Sequence, residues 1–317
     1  MKKVLITSNF NATFIESDVK IIQSFAKSKV VIGFSFKDLF RKIYYTITSD
    51  VCLIWFASIH SSILILFCKL LKRKSILIIG GVEIADLPEI EYGSLRNNWK
   101  KYFIKYSILN ATKVLPVDES LKVKCEELVK SDLNNISVLP TGFDENFWKQ
   151  TKKKKNVVLM VANIPDLKRF HLKGADLFVK IALKLPKIKF NLIGINKNLV
   201  NSSTKNLNFF AFTNQSELRN FYSEAKIFCQ LSLSEGLPNT LCEAMLCGAL
   251  PIGTKVGGIP NAIGKTGIIL RNKNVDEIVN IIKINILKTH NQSSRNRVIK
   301  LFNIKNRIAK LKYFINE

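Results

Sequence analysis

The sequence predicts an α/β protein with two doubly wound parallel sheets, and three observations carry that expectation. Short β-rich apolar runs alternate with helical patterns along most of the 317 residues, the pattern of a parallel sheet covered on both faces. A Pro-, Gly- and Lys-containing stretch, "LPTGFDENFWKQTKKKKN", interrupts the series near its middle. The length and the 47% hydrophobic content suffice for two cores.

In the first half, strands are expected at Lys3–Thr7, Val30–Phe34, Val51–Phe56, Ser75–Ile79, Val114–Val117 and Ile136–Leu139. Helices are expected at Phe14–Ala26, Ile63–Lys72, Asn98–Leu109 and Ser120–Lys130. Val51 to Cys68 carries no charged residue and meets the length rule for a membrane span, but the polar "SIHSS" in its middle favours strand, loop and helix. The segment from Pro140 to Lys155 reads as a linker. In the second half, strands are expected at Val157–Ala162, Phe190–Ile193, Leu207–Ala211, Ile227–Leu231, Leu250–Thr254 and Gly267–Leu270. Helices are expected at Gly174–Leu185, Ser216–Ala225, Thr240–Cys247 and Val275–Leu287, and Ser294–Ile315 reads as one further amphipathic helix. The implied domains are 1–150, 151–295, and a C-terminal helix, 296–317, returning toward the first domain.

The formal net charge is +25. It fits an anionic partner, and equally a composition bias toward Lys, Asn and Ile. Six cysteines without a Cys-x-x-Cys pair, and the three histidines His60, His171 and His290, argue against a disulfide framework and a zinc site. Reduced, buried thiols fit a cytoplasmic protein. The start, "MKKVLITSNFN", has too few apolar residues for a signal peptide.

Ligands of open α/β sheets bind beyond the carboxyl ends of the strands, so the loops there are the candidates. "NIPDLKRFHLKGADLF" sets Lys168, Arg169 and Lys173 before a helix, which suits a phosphate or diphosphate; a solvated basic loop is the alternative. "SLSEGLPNTLCEAMLCGALP" places Glu235 at a strand end and Glu243 about one turn into a helix, across a Gly236–Leu237–Pro238 turn, with Asn239 or Thr240 to cap the helix. Ionised carboxylates accept hydrogen bonds and suit sugar hydroxyls, although Glu243 also suits a role in complementing the helix dipole. Gly257 and Gly258 form a tight turn. In the first half, "GGVEIADLPEIEYG" follows a strand with Gly80, Gly81 and Glu83, either for a hydroxyl-rich acceptor or general base, or as a solvated acidic loop. His60 reads equally as a cleft residue or a buried one. "NNWKKYFIKY" reads as a helix with core on one face and solvated lysine on the other, ahead of an interfacial helix.

"SEGLPNTLCEAMLCGALPIGTKVGGIP" resembles the donor-site signature of family-4 retaining glycosyltransferases, with Glu235 and Glu243 matching that family's Glu-x7-Glu pair. "LPTGFDENFW" resembles its Pro-Asn-Gly-Val-Asp segment, "HLKGADLF" its Lys-Gly-x-Asp segment, and "IIGGVEIADLPEIEYG" a bacterial subset. The resemblance implies the GT-B fold: two doubly wound Rossmann-like domains facing a central cleft, with a C-terminal helix crossing back. It implies an acceptor-binding first domain and a donor-binding second one. Glu235 would hold the transferred sugar and Glu243 the donor ribose, while Lys173 with Arg169 or Lys168 would neutralise the diphosphate. Gly236, Leu237, Pro238, Asn239, Thr240, Leu241 and Phe212 complete the implied donor-binding set, and His60, Glu83, Gly80 and Gly81 lie on the implied acceptor side.

The implied reaction is sugar transfer from a nucleotide-diphosphate sugar, the co-substrate, to a glycan or lipid-linked glycan, with retention and with no cofactor or metal. It would serve cell-surface polysaccharide or glycolipid assembly at the inner face of the membrane, with peripheral contact to anionic lipid. The chain departs from the family pattern at Ala162–Asn163, where Gly-Arg is usual, at Asn261, where glutamate is usual, and in "TSNFNAT", where a glycine-rich loop is usual. A non-catalytic nucleotide-sugar-binding relative and a GT-B epimerase remain as alternatives. A nucleic-acid-binding protein rests on charge alone, with no recognised motif.

Overall fold

In a computed structural model, the structure describes residues 1–199, 205–288 and 292–317; His290 lies outside them. The chain divides into two compact units, Met1–Gly142 with Ile304–Glu317, and Phe143–Asn303.

Unit 1 is built on five parallel strands. In chain order its elements are β1 (Lys3–Ser8), α1 (Thr13–Gln23), β2 (Lys27–Ile32), α2 (Phe36–Thr48), β3 (Val51–Trp55), α3 (Ile59–Leu70), β4 (Lys74–Ile79), α4 (Asn98–Asn110), β5 (Lys113–Pro116) and α5 (Glu119–Val129). The sheet order is β2-β1-β3-β4-β5. Strands β3 and β4 are buried almost throughout, as expected for strands covered on both faces. Val51 to Cys68 is strand, loop and helix, and among the described residues no helix is long and apolar enough to cross a membrane.

Unit 2 contains β6 (Lys155–Ile164), α6 (Leu167–Leu172), α7 (Ala175–Leu183), β7 (Lys189–Ile195), β8 (Leu207–Phe210), α8 (Gln215–Glu224), β9 (Ala225–Gln230), α9 (Asn239–Leu246), β10 (Leu250–Thr254), α10 (Ile259–Ile263), β11 (Ile268–Leu270), α11 (Val275–Ile286) and α12 (Gln292–Leu301). Its six parallel strands run β11-β10-β9-β6-β7-β8. Phe178, Phe190, Ile181 and Ile282 are among the buried side chains of its core. The last helix, α13 (Ile304–Asn316), belongs to unit 1. Arg307 fixes it there through a buried fork on Asp18, with Nε and Nη2 each donating at 2.6 Å, while Trp55 Nε1 donates to the same carboxylate at 3.1 Å.

Several expectations need correction. The tail is two helices, broken at Phe302–Asn303, where Phe143 N donates to Phe302 O at 2.8 Å and takes the chain out of helical register. Ile136–Leu139 is not a strand; it runs beside β5 with a single parallel bridge, Val114 to Ile136, and although Leu139 N donates to Pro116 O at 2.8 Å, Pro116 has no N–H to continue the ladder. The segment read as a linker is packed. Trp148 and Phe143 are buried, and Arg295 of α12 donates to the carbonyls of Glu145 and Trp148. Helix α2 lies where the alternation had placed no helix. In α4, Trp99 and Tyr102 face solvent with the lysines, while Ile104, Ser107 and Ile108 face inward.

Candidate active site

In unit 2 the chain runs outward in opposite directions from β6 and β9, which are neighbours in the sheet. The loops leaving their carboxyl ends therefore meet at the topological switch point, the usual place for a ligand. One loop carries α6 and Lys173; the other carries Ser232 to Pro238.

Lys173 and Glu235 are brought together there. Lys173 Nζ donates to Glu235 Oε1 at 2.5 Å, and both side chains are mostly buried. The same oxygen also accepts from Ser232 Oγ at 2.8 Å and from Gln230 Nε2 at 3.0 Å. Gln230 in turn donates to Ser232 Oγ and accepts from Thr240 Oγ1. Three donors thus hold Oε1, and Oε2 makes no hydrogen bond among the described residues. The carboxylate is oriented by the protein on one side and open on the other.

The backbone around it is held by two glycines. Gly174 has φ +71°, and a Cβ there would lie 2.2 Å from Leu231 O. Gly257 has φ +51°, and a Cβ there would meet the carbonyl of Glu235, while Gly258 N donates to Gly236 O at 2.9 Å. The Gly257–Gly258 turn thus packs directly on the Glu235 turn, in a backbone conformation and at a distance that a side chain would oppose.

The donor-binding set divides by burial. Gly236, Leu237, Pro238 and Leu241 are buried, and Leu237 and Leu241 pack inward. Neither Asn239 nor Thr240 caps α9. The cap position is Pro238, without a side-chain bond, because the Gly-Leu-Pro turn starts the helix one residue earlier. The first-turn amides of α9 thus have no side-chain cap. Arg169 is half-exposed one turn before Lys173, whose amide donates to its carbonyl; Lys168 is exposed. Phe212 follows β8 and is largely exposed.

Glu243 is held by Tyr222, whose hydroxyl donates to Oε2 at 3.0 Å. Burial pushes its carboxyl up to about 8, against the lowering effect of that bond. A carboxyl raised in this way would offer a ligand a donor as well as an acceptor. A carboxylic acid donates one hydrogen bond and accepts others. Tyr222 is itself fully buried, and its phenol is pushed up first by that burial and then by the Glu243 charge.

The residues expected on the acceptor side belong to unit 1. His60 is buried in the first turn of α3, stacked on Phe34 at 4.3 Å. Lys42 Nζ lies 3.4 Å from His60 Nδ1 and donates to Gly33 O at 2.7 Å and Ser8 O at 3.1 Å. Burial, then the Lys42 charge, lowers the imidazole to about 4. A neutral imidazole with its proton on Nε2 would let Nδ1 accept from the Lys42 ammonium. Glu83 is engaged by its own loop: Gly80 N donates to Oε1 at 2.9 Å and Gly81 N to Oε2 at 2.8 Å. Burial raises Glu83 to about 7 despite those bonds. It clamps the turn after β4.

Gln230, Ser232 and Tyr222 were absent from the residues expected to form the site. A polar glutamine ending the apolar run "AKIFCQ" was the one available signal.

Residues 142–300 match the family described as glycosyl transferases group 1. Over 183 residues the chain is 25% identical to a phosphatidylinositol N-acetylglucosaminyltransferase component of Arabidopsis thaliana, a match covering 53% of this chain and 40% of that protein. Over 194 residues it is 24% identical to an uncharacterized glycosyltransferase of Methanocaldococcus jannaschii, covering 58% and 52%. The matched region thus spans about half the length of these curated relatives. HepE of Anabaena, solved in complex with UDP-glucose, is similar with a TM-score of 0.78 at 12% identity, covering 100% of both chains. Sucrose-phosphate synthase of Thermosynechococcus elongatus is similar with a TM-score of 0.77 at 11% identity, covering 100% of this chain and 98% of that one. These structural likenesses give the fold as GT-B, with two Rossmann-like units. With residues 142–300 of 317 matched, the chain belongs to the glycosyl transferases group 1 family.

Proposed function

We propose that the protein is a retaining glycosyltransferase of family-4 type that moves a sugar from a nucleotide-diphosphate sugar to a hydroxyl of a glycan or lipid-linked glycan. The single observation that carries this reading is Glu235, with Oε1 held by Lys173, Ser232 and Gln230 and Oε2 left for a ligand. Oε2 would accept from hydroxyls of the transferred sugar, and Glu243 would both donate to and accept from the ribose diol. The diphosphate would lie at the uncapped start of α9, with Lys173 beside it and Arg169 or Lys168 completing the charge.

In the transfer, the bond between the sugar's C1 and the diphosphate oxygen breaks. A bond from C1 to the acceptor oxygen forms, and the acceptor's proton passes to the departing diphosphate. Charge grows on that diphosphate in the transition state, so preorganised cations and helix amides lower the barrier, a role that needs no metal ion. HepE, solved with UDP-glucose, supports a nucleotide-sugar donor. The Arabidopsis relative, named for N-acetylglucosaminyl transfer and phosphatidylinositol, supports a lipid-linked acceptor. We place the activity in surface-glycan or glycolipid assembly at the cytoplasmic face of the membrane, with His60 and Gly80 on the acceptor side.

The test is a panel of nucleotide-diphosphate sugars. A productive donor raises the melting temperature by mass action and releases nucleoside diphosphate, and Glu235→Ala abolishes the release. A donor that binds without any release supports a non-catalytic binder. Unchanged release by Glu235→Ala removes this site assignment.

A further inference from the structure

Helix α2 is amphipathic in the reverse sense. The residues it turns into unit 1 are Lys42 and Thr46, both buried. Its outward side carries Phe36, Phe40, Tyr44 and Ile47, which are 84%, 70%, 62% and 50% exposed. At helical spacing these four fall within an arc of about 80°. The other exposed positions of α2 are Lys37, Arg41 and Thr48. A helix on the surface of a water-soluble domain normally shows the opposite pattern. The rotation is fixed from inside, because Lys42 Nζ donates to Gly33 O and Ser8 O.

The apolar stripe extends beyond one helix. Helix α2 packs on α3, and α3 on α4. Leu66 and Leu70 of α3, and Trp99, Tyr102 and Leu109 of α4, are also exposed. Scattered apolar residues are ordinary, but four within one arc of a helix, with more exposed on the helices packed beside it, mark an interaction surface.

Charge identifies what it meets. Three Lys and Arg stand on α2, with Lys42 buried and Lys37 and Arg41 outward, one on α3 and three on α4, against a single acid, Asp38, which is engaged in the Ser35 capping box. Elsewhere in unit 1, α1 balances Glu16 and Asp18 against Lys20, and α5 Glu119, Glu126 and Glu127 against Lys122 and Lys124; α13 is basic and without an acid, but Tyr313 is its one large exposed apolar side chain. A second copy would present the same positive charge and be repelled. Aromatic and aliphatic side chains ringed by Lys and Arg are the composition of a helix lying in a membrane interface.

We infer that α2, with the outward sides of α3 and α4, docks the protein on an anionic lipid surface, with Phe36, Phe40, Tyr44 and Ile47 entering the headgroup–acyl boundary while Lys37, Arg41 and Lys100 meet lipid phosphates. This surface deepens the lipid-linked acceptor reading but rests on the geometry of α2. Vesicle binding and donor turnover are separate measurements, and either can fail alone.

The full chain is sedimented with vesicles of phosphatidylcholine alone or mixed with phosphatidylglycerol. Binding is expected to the mixed vesicles, weakening about tenfold as salt rises from roughly 0.1 to 0.5 M. Phe36→Ser/Phe40→Ser is expected to lower the partition coefficient roughly tenfold or more. Leu287→Ser, at a residue 76% exposed in unit 2, should leave it unchanged. Trp99 is the one exposed tryptophan of the three, with Trp55 and Trp148 buried, so tryptophan emission should shift to the blue on the mixed vesicles. Where the double variant melts below the parent, Lys37→Glu/Arg41→Glu on the same face must reproduce the loss. Absence of sedimentation with mixed vesicles overturns the proposal. So does salt-independent binding to phosphatidylcholine alone, or a lipid-free self-association that Phe36→Ser/Phe40→Ser abolishes.

Discussion

The two units present their topological switch points in opposite ways. In unit 1 the switch lies between β1 and β3, and aromatic rings occupy it: Phe10 stacks on Phe56 at 4.7 Å, and Phe34 on His60 at 4.3 Å. Lys42, buried beside His60, donates to backbone carbonyls. In unit 2 the switch lies between β6 and β9, and a carboxylate and an ammonium occupy it, with one carboxylate oxygen left open. Doubly wound topology determines where loops converge; the residues delivered there decide whether the convergence is plugged or receptive. Around its switch point unit 1 engages Lys42 and Glu83 with its own backbone, while unit 2 leaves one oxygen of Glu235 without a hydrogen bond among the described residues.

The largest expected effect breaks the receptive side. Lys173→Met removes the cation proposed to lie beside the diphosphate and releases Glu235 from its ion-pair partner. Release of nucleoside diphosphate from the preferred donor should fall about 100-fold or more, the scale for removing one preorganised transition-state donor. Steady-state kinetics check this. A fall confined to KM would mean that Lys173 serves binding in the ground state alone.

This asymmetry also explains what could be read from the sequence. Glu235, Glu243 and Lys173 were legible because they sit where a strand ends and a helix begins, and topology sends those loops to one place. Ser232 and Gln230 were not, since period-2 reasoning does not reveal which polar residue at the end of an apolar strand turns toward the loop. Helix α2 was missed for a different reason. Its buried residues are Lys42 and Thr46 and its apolar side faces outward, so no core stripe announces it. Ile136–Leu139 has strand composition but gains only one bridge, because Pro116 of β5 has no N–H for the next. The acidic loop after β4 was legible as a loop, but not as one whose Glu83 binds its own amides, which depends on three-dimensional closure.

The next effect is on stability. Gly174→Ala forces a left-handed residue to carry a Cβ against the Leu231 carbonyl. The strain and the clash together cost on the order of 2–4 kcal/mol. For a unit the size of Phe143–Asn303 that lowers Tm by roughly 5–15 °C. Because Leu231 leads into the Glu235 turn, donor binding should weaken in the same variant, and a thermal scan with and without donor reads both. Normal donor binding in a destabilised protein would show that the Lys173 and Glu235 loops are held independently.

A smaller effect contrasts the two buried carboxyls. Burial raises Glu243 to about 8 and Glu83 to about 7. For a raised carboxyl, the folded state binds its proton more tightly than the unfolded state does. That contribution to stability is complete below the ordinary glutamate value near 4.5 and is lost as pH rises through the folded value. Between pH 5 and about 9, Tm should therefore fall less steeply in Glu243→Gln than in the parent. Glu83→Gln should remove the part of the slope ending near pH 7. If the slope is the same in all three proteins, neither carboxyl is protonated in the folded state.

The smallest expected effect tests whether the switch point of unit 1 is a plug. Phe10 is nearly half exposed and makes one stacked contact, with Phe56. Phe10→Ala forfeits that pair, worth about 0.5–1.5 kcal/mol beyond buried area, and Tm should fall by roughly 1–6 °C. Donor release should keep its parent rate, because Phe10 belongs to unit 1 and the proposed donor groups to unit 2. The opposite pattern would be more informative. An unchanged Tm with lost transfer to the acceptor would mean that Phe10 and Phe56 are a stacking platform for a sugar ring, making the aromatic switch point receptive as well. Measuring transfer and donor hydrolysis on the same variant separates the two, since a plug lowers neither and a platform lowers transfer alone.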